Sequence, residues 1–375
     1  MKITKIETMT VAPMWLFLKM HTDEGIVGLG EAEVEGRALT TQTAIRELER
    51  YLIGQDPRKI EHHWQVMYRS SFYRGGAILT SAISGVEQAM WDILGKWLNV
   101  PVYQLLGGAC RDRIRLYAHF HGETQEELVD DAVRRVKQGF TAIKTFYPER
   151  AVRIVDTFKY VKDVAEAVRA VREAVGDEVD IGIDPMGRLG PAMAIRVAKA
   201  IEPYYPMFLE EPCMPENVDT LATVARSTSI PIATGERLFT KWGFREVLEK
   251  QAAAILQPDL NHAGGIMECK KIAAMAEAYY TAIAPHCWVG PITLAASIHL
   301  DACIPNFILQ EHTTLGEGYL KKPFINKGGY VELPTGPGLG IELDEEAVRE
   351  KLDEGTWDNP GWKSRHKDDG SAADW

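Results

Sequence analysis

Apolar and polar residues alternate along the first 30 residues, in the runs ITKIETMTV and WLFLKMHTDEGIVGLGEAE. Alternation with a period of two predicts half-buried strands, and the turn residues at 23–25 predict that two of them are antiparallel. Helical spacing follows at 40–53, 57–70 and 81–98, and two glycines at 107–108 end this part of the chain. Residues 1–112 are therefore expected to form an α+β domain.

From residue 116 the pattern changes to short apolar runs that alternate with amphipathic segments. Eight runs are typical of buried strands, at 116–120, 142–146, 180–183, 208–209, 231–233, 254–256, 281–284 and 307–309. Helical spacing lies between them, for example at 125–137, 161–175, 192–201, 218–226, 243–250 and 266–279. Eight strands that alternate with helices predict an α/β fold of the (β/α)8 barrel type at 113–320. The segment 321–375 begins rich in Gly and Pro and is expected to return to the first domain.

Composition and charge narrow the class of protein. Hydrophobic residues at 46% and charged residues at 25% are ordinary values for a soluble globular chain. A formal charge of −11 argues against nucleic acid as a partner, which calls for basic patches. No apolar run reaches the roughly 18 residues that span a bilayer, so no membrane role is expected. Five cysteines without a CxxC pair favour a reduced, cytoplasmic protein.

Three acidic residues stand at an equal spacing of 26 residues: Asp184, Glu210 and Glu236. Each follows or ends a short apolar run, and parallel strands of a barrel bring their carboxyl ends together on one face. Three carboxylates at one place repel each other unless a cation neutralises them, and an all-oxygen cluster suits Mg²⁺. The spacing therefore predicts a metal-dependent enzyme with these three residues as the ligands.

Further motifs resemble the enolase superfamily, over residues 3–343. The segment RGGAILTSAISGVEQAMWDILGKWLNVPVYQLLGG at 74–108 is similar to the end of its capping domain. FLEEP, IATGERL, ILQPDLNHAGGI, IAPHC and LQEH are similar to its mandelate racemase branch, and within it to galactonate dehydratase and related acid-sugar dehydratases. The resemblance implies a modified TIM barrel with an α+β cap, one Mg²⁺ per subunit and a small sugar-acid substrate. It also implies a homo-oligomer with an even number of subunits, such as an octamer.

The reaction that the resemblance implies begins with removal of the proton alpha to a carboxylate. Bound Mg²⁺ would stabilise the enediolate as a Lewis acid. His286, after the seventh strand, is the expected base, and Asp259, after the sixth, is expected to fix its tautomer and raise its pKa. Glu311, at the end of the eighth strand, matches a position that hydrogen-bonds the substrate carboxylate or enediolate, which requires a protonated or shared-proton carboxyl.

The second strand departs from the pattern of this branch. Lys144 retains the first lysine of its KxK pair, either as a cation beside the substrate carboxylate or as an ion-pair partner of a metal-site acid. Phe146 stands in place of the second lysine, the other base of the racemases. A two-base racemase is therefore not expected.

Met186 is the second departure. It stands where galactonate dehydratases carry a histidine that protonates the departing 3-hydroxyl, and a thioether cannot donate a proton. His286 acting twice is one alternative source of this proton, and Tyr147 or His121 is another. Further substrate contacts are expected from Trp288 and, in the first cap loop, from Trp15.

Three functions remain open from the sequence. The leading one is Mg²⁺-dependent dehydration of a sugar acid to a 2-keto-3-deoxy acid. A sugar-acid cycloisomerase or lactone-opening lyase also needs one base and expels an oxygen leaving group. A catalytically silent homologue that only binds its ligand is favoured by Met186 and disfavoured by the retention of His286, Asp259 and Glu311.

Overall fold

A computed structural model describes residues 1–146, 155–356 and 370–372 of the chain. The N-terminal domain opens with an antiparallel sheet of β1 (Ile3–Val11), β2 (Trp15–Thr22) and β3 (Val27–Glu31), in that order. Four helices follow: α1 (Ala38–Leu52), α2 (Ile60–Arg69), α3 (Ala77–Leu98) and α4 (Val102–Leu105). The sequence therefore predicted the α+β character of this cap, and its first three helices begin and end within about four residues of the expected limits.

Helix α3 is the central element of the cap because it packs closely on the sheet. A Cβ atom at Gly30 in β3 would lie 2.0 Å from the carbonyl oxygen of Gly85 in α3, so only glycine permits this approach. The other side of α3 faces the barrel, where the hydroxyl of Ser84 accepts from the backbone N–H of Gly264 at 3.0 Å. Buried on several sides, α3 carries apolar residues all round rather than on one stripe.

The second domain is a curled parallel sheet with helices outside it, as the sequence predicted. Its strands follow each other in chain order: β5 (Ala118–His119), β6 (Ala142–Thr145), β7 (Asp180–Ile183), β8 (Phe208–Glu210), β9 (Ile232–Thr234), β10 (Ile255–Leu256) and β11 (Ala282–Ile283). The connecting helices are α5 (Gln125–Lys137), α6 (Phe158–Val175), α7 (Pro191–Ile201), α8 (Val218–Ala225), α9 (Thr240–Glu249), α10 (Ile266–Ala278) and α11 (Pro291–Cys303).

The eighth expected strand, at 307–309, forms isolated parallel bridges instead of a continuous strand. Phe307 bridges Ile283 of β11, and Gln310 bridges Leu116 just before β5. The Tyr117 N–H donates to the carbonyl of Gln310 at 3.2 Å. Residues 307–310 therefore close the curled sheet into a ring, which brings the carboxyl ends of all its strands to one face.

The last part of the described chain contacts the cap. Strand β12 (Tyr330–Glu332) pairs antiparallel with β4 (Arg113–Arg115), which connects the two domains. Helix α12 (Glu345–Arg349) follows, and Leu352 then bridges Val11 of β1. The Tyr319 hydroxyl also donates to the carbonyl of Ala12 at 2.9 Å. The two ends of the described chain are thus joined at the cap.

Two buried carboxylates of the cap bind the N-terminal ends of barrel helices. Glu31 in β3 accepts hydrogen bonds from the backbone N–H groups of Gly290 and Thr293 at 2.6 and 2.9 Å, at the start of α11. Glu87 in α3 accepts from the first two residues of α10 at 2.8 and 2.9 Å. Helix N-termini carry unpaired N–H groups, so these acids satisfy donors that the barrel helices themselves leave open. No helix in the described residues combines the length and the apolar character that crossing a membrane requires.

Candidate active site

A cavity of about 380 Å³ lies between the cap and the carboxyl ends of the barrel strands. The cap contributes residues 33–35 and Ala77 to its wall, and the barrel contributes Asp184, Glu236 and His286. Active sites of this barrel type lie at the carboxyl ends of the strands, because the loops there come from several strands at once. The cavity is therefore the candidate active site.

The three acids predicted as metal ligands follow neighbouring strands. Asp184 comes directly after β7, Glu210 is the last residue of β8, and Glu236 lies two residues after β9. The side chains of Asp184 and Glu210 are buried, and that of Glu236 is 22% exposed. Burial, together with the charge of Glu210, raises the pKa of Asp184 well above its ordinary value. The acids therefore crowd each other, as the spacing predicts.

Lys144 neutralises part of this charge from below the cavity. Its Nζ atom lies 2.9 Å from both carboxylate oxygens of Glu210 and 3.6 Å from Asp184 Oδ2. Burial acts to lower the pKa of Lys144, but Glu210 and Glu311 hold it well above the usual value, so the amine is charged. In this structure Lys144 is an ion-pair partner of the acids, and it is not part of the cavity wall.

The donor set suits a hard cation, although two of the acids bind other side chains in the present arrangement. Among the described residues, no three His, Cys, Asp or Glu side chains are arranged to hold one metal ion. Glu210 faces Lys144, and Glu236 Oε2 lies 2.9 Å from His286 Nε2. Binding by all three acids requires Glu210 and Glu236 to exchange these contacts for the metal. Carboxylate oxygens whose mutual repulsion raises the pKa of Asp184 are the ligands that Mg²⁺ prefers.

His286 and Asp259 form a hydrogen-bonded pair at the edge of this cluster. His286 Nδ1–H donates to Asp259 Oδ2 at 2.6 Å, and the backbone N–H of Asn261 donates to Asp259 Oδ1 at 2.6 Å. Burial acts to lower the pKa of His286, but Glu311 and Glu236 raise it well above the usual value. The ring is therefore an imidazolium in this arrangement, and Nε2, which faces Glu236, is the atom that must lose a proton before it can act as a base.

Glu311 is an ionised, buried carboxylate. Its Oε2 accepts from the backbone N–H of Cys287 at 2.9 Å, and its Oε1 lies 2.9 Å from both Lys144 Nζ and His119 Nε2. Burial acts to raise the pKa of Glu311, but Lys144 and His286 hold it well below the ordinary value. A hydrogen bond from Glu311 to a substrate carboxylate or enediolate through a shared proton therefore stays a prediction.

Two of the expected substrate contacts are on the cavity wall and two are not. Met186 and Trp288 line the cavity. Trp15 and His121 line a second cavity of about 370 Å³ on the other side of Trp288. Tyr147 lies outside the described residues. Trp15 and His121 thus line a cavity that shares Trp288 with the candidate active site, and their contact with substrate stays a prediction.

The positions of Trp15 and His121 have simple causes. Strand β5 ends at His119, so His121 lies beyond the rim of the sheet, where its backbone N–H donates to Asp131 at 3.0 Å. Trp15 begins β2 and is buried, with its ring centroid 4.7 Å from that of Tyr319. Because β5 ends early, the His121 side chain lies outside the candidate active-site cavity. Packing against Tyr319 holds the Trp15 side chain in the cap.

Glu33 and His262 line the cavity but were not predicted to be functional. Glu33 is completely buried on the cap side, and His262 Nδ1 lies 2.8 Å from the hydroxyl of Ser81 in α3. A signal for Glu33 exists in the sequence GEAEVEG, where acids stand at 31, 33 and 35 directly after a strand. Alternate acids beside a predicted strand share a face, which marks the segment as more than a surface turn.

Comparison with known families identifies the class of protein. The Mandelate racemase / muconate lactonizing enzyme N-terminal domain matches residues 3–107, and the Enolase C-terminal domain-like family matches residues 127–347, more than half of the chain. The chain belongs to the mandelate racemase/muconate lactonizing enzyme family of the enolase superfamily, which confirms the resemblance that the motifs carry.

Individual relatives share the whole length of the chain. D-galactonate dehydratase of Ralstonia pickettii (strain 12J) is 47% identical and that of Ralstonia nicotianae (strain ATCC BAA-1114 / GMI1000) is 46% identical, each with 100% of both chains covered. A solved structure, the mandelate racemase/muconate lactonizing enzyme from Sulfitobacter sp, is 38% identical with a TM-score of 0.89. That match covers 94% of this chain and 96% of the other.

Proposed function

We propose that this protein is a Mg²⁺-dependent acid-sugar dehydratase. It removes the proton at C2 and the hydroxyl at C3 of a sugar acid and releases a 2-keto-3-deoxy acid. The observation that carries the proposal is the His286–Asp259 pair, 2.6 Å apart, on a cavity that also contains the acids Asp184 and Glu236. Two relatives that share its full length are named D-galactonate dehydratase.

Asp184, Glu210 and Glu236 would hold the metal ion. When bound, Mg²⁺ supplies the positive charge that stabilises the enediolate form of the substrate. All three acids come from the ends of neighbouring parallel strands, and Lys144 supports Glu210 from beneath. The cap then covers the site. In a cavity with little water, the electrostatic interactions of these charges are stronger than in bulk solvent.

His286 acts as the base in this proposal. Its Nδ1–H is held by Asp259, which leaves Nε2 as the atom that takes the C2 proton. Asp259 is fully buried and is itself fixed by the N–H of Asn261, so the orientation of the ring is set before substrate binds. The pair therefore provides one base in a defined tautomer and orientation.

Phe146 favours elimination over racemisation. Its ring lies on the cavity wall at the end of β6, with its centroid 5.4 Å from that of Trp288. An aromatic ring cannot accept a proton, so no second base comes from this position. With Phe146 at this position, the cavity suits a reaction that uses a single base and expels a hydroxyl.

The proposal is tested by incubating the protein and Mg²⁺ with a panel of sugar acids. We expect a semicarbazide-reactive 2-keto product that is lighter than its substrate by one water, and we expect His286→Asn to abolish it together with exchange of the C2 proton into deuterated water. The exposed His62→Asn serves as the matched control and retains activity. A product of unchanged mass would instead identify a cycloisomerase, and no conversion of any acid would identify a silent homologue.

Removal of divalent ions gives a second test. We expect a chelator to abolish turnover while the far-ultraviolet circular dichroism spectrum stays unchanged, because one apolar core runs through cap and barrel and includes none of the three acids. Added Mg²⁺ restores activity. Global unfolding on chelation would show that the metal is structural and would overturn its catalytic role.

Assembly and cellular location belong to the same proposal. An even-numbered homo-oligomer, such as an octamer, and a cytoplasmic location remain predictions from the sequence. Sedimentation equilibrium of the purified chain measures the first, and a monomer at working concentration would contradict it. Cell fractionation measures the second.

A further inference from the structure

Glu33 is a buried acid on the cap side of the candidate active site. Its side chain is 0% exposed, and neither carboxyl oxygen has a hydrogen-bond partner among the described residues. A buried polar group without a partner costs free energy, so such groups in folded proteins call for an explanation. Glu33 nonetheless lies on the wall of the candidate active-site cavity. Both oxygens are closed off from the cavity in this arrangement, so a ligand there becomes their partner once the Glu33 side chain turns toward it.

The surroundings of Glu33 bring it close to the proposed base. Asn261 donates its side-chain N–H to the backbone carbonyl of Glu33 at 2.8 Å and its backbone N–H to Asp259 at 2.6 Å. Asp259 in turn holds His286. Asn261 thus connects the cap segment of Glu33 to the Asp259–His286 pair.

The charge state of Glu33 suits a proton donor. Burial, together with the charges of Glu31, Glu35 and Asp259, raises the pKa of this carboxyl well above its ordinary value. A carboxyl that stays protonated at neutral pH can give a hydrogen bond or a proton to a substrate oxygen.

Two other described residues of the cavity wall, Met186 and His262, are poorer proton donors. Expulsion of a hydroxyl requires a proton, and Met186, on the same cavity wall, carries a thioether that has none to give. His262 Nδ1 is engaged by Ser81 at 2.8 Å, and burial lowers the pKa of His262, so its ring is neutral and a weaker acid than a carboxyl.

Building on the proposed dehydratase function, we propose that Glu33 is the catalytic acid of this site and protonates the departing C3 hydroxyl. His286 takes the C2 proton, the electron pair of that C–H bond forms the C2–C3 double bond, and the C3–O bond breaks. The hydroxyl leaves as water with the Glu33 proton. When the enol product becomes the ketone, C3 gains a proton and the enol oxygen loses one, so imidazole and carboxyl return to their starting states.

The test compares wild type with Glu33→Gln, which keeps the size of the side chain but cannot donate an acidic proton. We expect dehydration to fall by about 10²- to 10⁴-fold, the usual contribution of a general acid. Exchange of the C2 proton with deuterated water depends on His286 and is expected to continue. The exposed Glu24→Gln in the preceding turn, whose carboxylate pairs with the N-terminal amine, is the matched control.

A substrate analogue separates acid catalysis from positioning. Fluoride leaves without a proton, so Glu33→Gln should eliminate fluoride from a 3-deoxy-3-fluoro sugar acid at close to the wild-type rate. Dehydration by Glu33→Gln at the wild-type rate would overturn the inference, and so would an equal loss of exchange, dehydration and fluoride release. If the wild-type protein neither exchanges nor dehydrates any sugar acid, the proposed function itself is wrong, and the role of Glu33 falls with it.

Discussion

At the scale of single residues, acids outnumber bases at the carboxyl ends of the barrel strands. The acids of this group are Asp184, Glu210, Glu236, Asp259 and Glu311, and the basic side chains that contact them include Lys144, His119, Arg237 and His286. Burial and neighbouring charges shift the pKa values of these acids in different directions. His286 lowers the pKa of Glu236 to about 2, against the effect of its burial, whereas the pKa of Asp184 is raised. A divalent cation is the species that this excess of negative charge would attract.

The Asp259–His286 pair predicts the effect of removing one carboxylate. Asp259→Asn removes the acceptor that fixes the tautomer of His286, so we expect turnover to fall by about 10²- to 10⁴-fold. Because Asp259 raises the pKa of His286, its loss lowers that pKa, and the acid limb of the kcat/KM profile should move to lower pH. The control is Asp180→Asn, an acid paired with Arg115 at the opposite end of β7. An unshifted acid limb would show that His286 is not the titrating base.

The sequence predicted some site residues better than others, for a physical reason. Asp184 and His286 each stand at a strand end, where position along the chain determines position in space. The ionised state of Glu311 depends instead on Lys144, and the position of Glu33 depends on the barrel segment around Asn261. Both partners lie far away in sequence. Their roles therefore required the three-dimensional structure.

At the scale of elements, the contact between β3 and α3 sets a limit on side-chain size. Gly30→Ala would place a Cβ atom 2.0 Å from the carbonyl oxygen of Gly85, which is backbone and cannot turn aside. We expect a loss of about 1–3 kcal/mol in the free energy of unfolding, measured by urea denaturation. The control is Gly243→Ala inside α9, where the nearest atom lies 3.6 Å away and alanine favours the helix by about 1 kcal/mol. Equal stability of both variants would contradict the close packing.

Helix α11 shows which elements the hydrophobic pattern cannot reveal. All of its residues from Pro291 to Cys303 are buried, so it has no polar face and no amphipathic period to recognise. Helix α5, by contrast, has a polar face and the capping box of Thr124 and Glu127, and its predicted limits are correct. The pattern therefore gives sharp limits for a surface helix such as α5 and no amphipathic signal for a fully enclosed one such as α11.

At the scale of the whole molecule, the cap and the barrel are joined through ionisable groups. Burial raises the pKa of Glu31 and of Glu87 to about 7, although backbone N–H groups of the barrel helices act to lower it. The folded state therefore binds more protons than the unfolded state between about pH 4.5 and pH 7. Stability that comes from these two acids is present below this window and is lost as the pH rises through it.

Glu87→Gln tests this linkage. The amide cannot titrate, so between about pH 5 and pH 8 the wild type should lose on the order of 2–3 kcal/mol more stability than the variant. Urea unfolding at both pH values measures the difference, and histidines that titrate in the same range contribute equally to both proteins. The control is Glu173→Gln on the surface of α6, paired with Arg169. Parallel pH dependence of wild type and Glu87→Gln would contradict the raised pKa.

The same interface has a consequence for synthesis on the ribosome. Glu31 and Glu87 are synthesised early, but the helices that they bind, α11 and α10, begin at Pro291 and Ile266. The partner of Val11, Leu352, is synthesised later still. The N-terminal sheet therefore lacks these contacts until most of the chain has been translated. A nascent chain arrested before α10 therefore lacks the backbone donors that Glu31 and Glu87 bind in the finished protein.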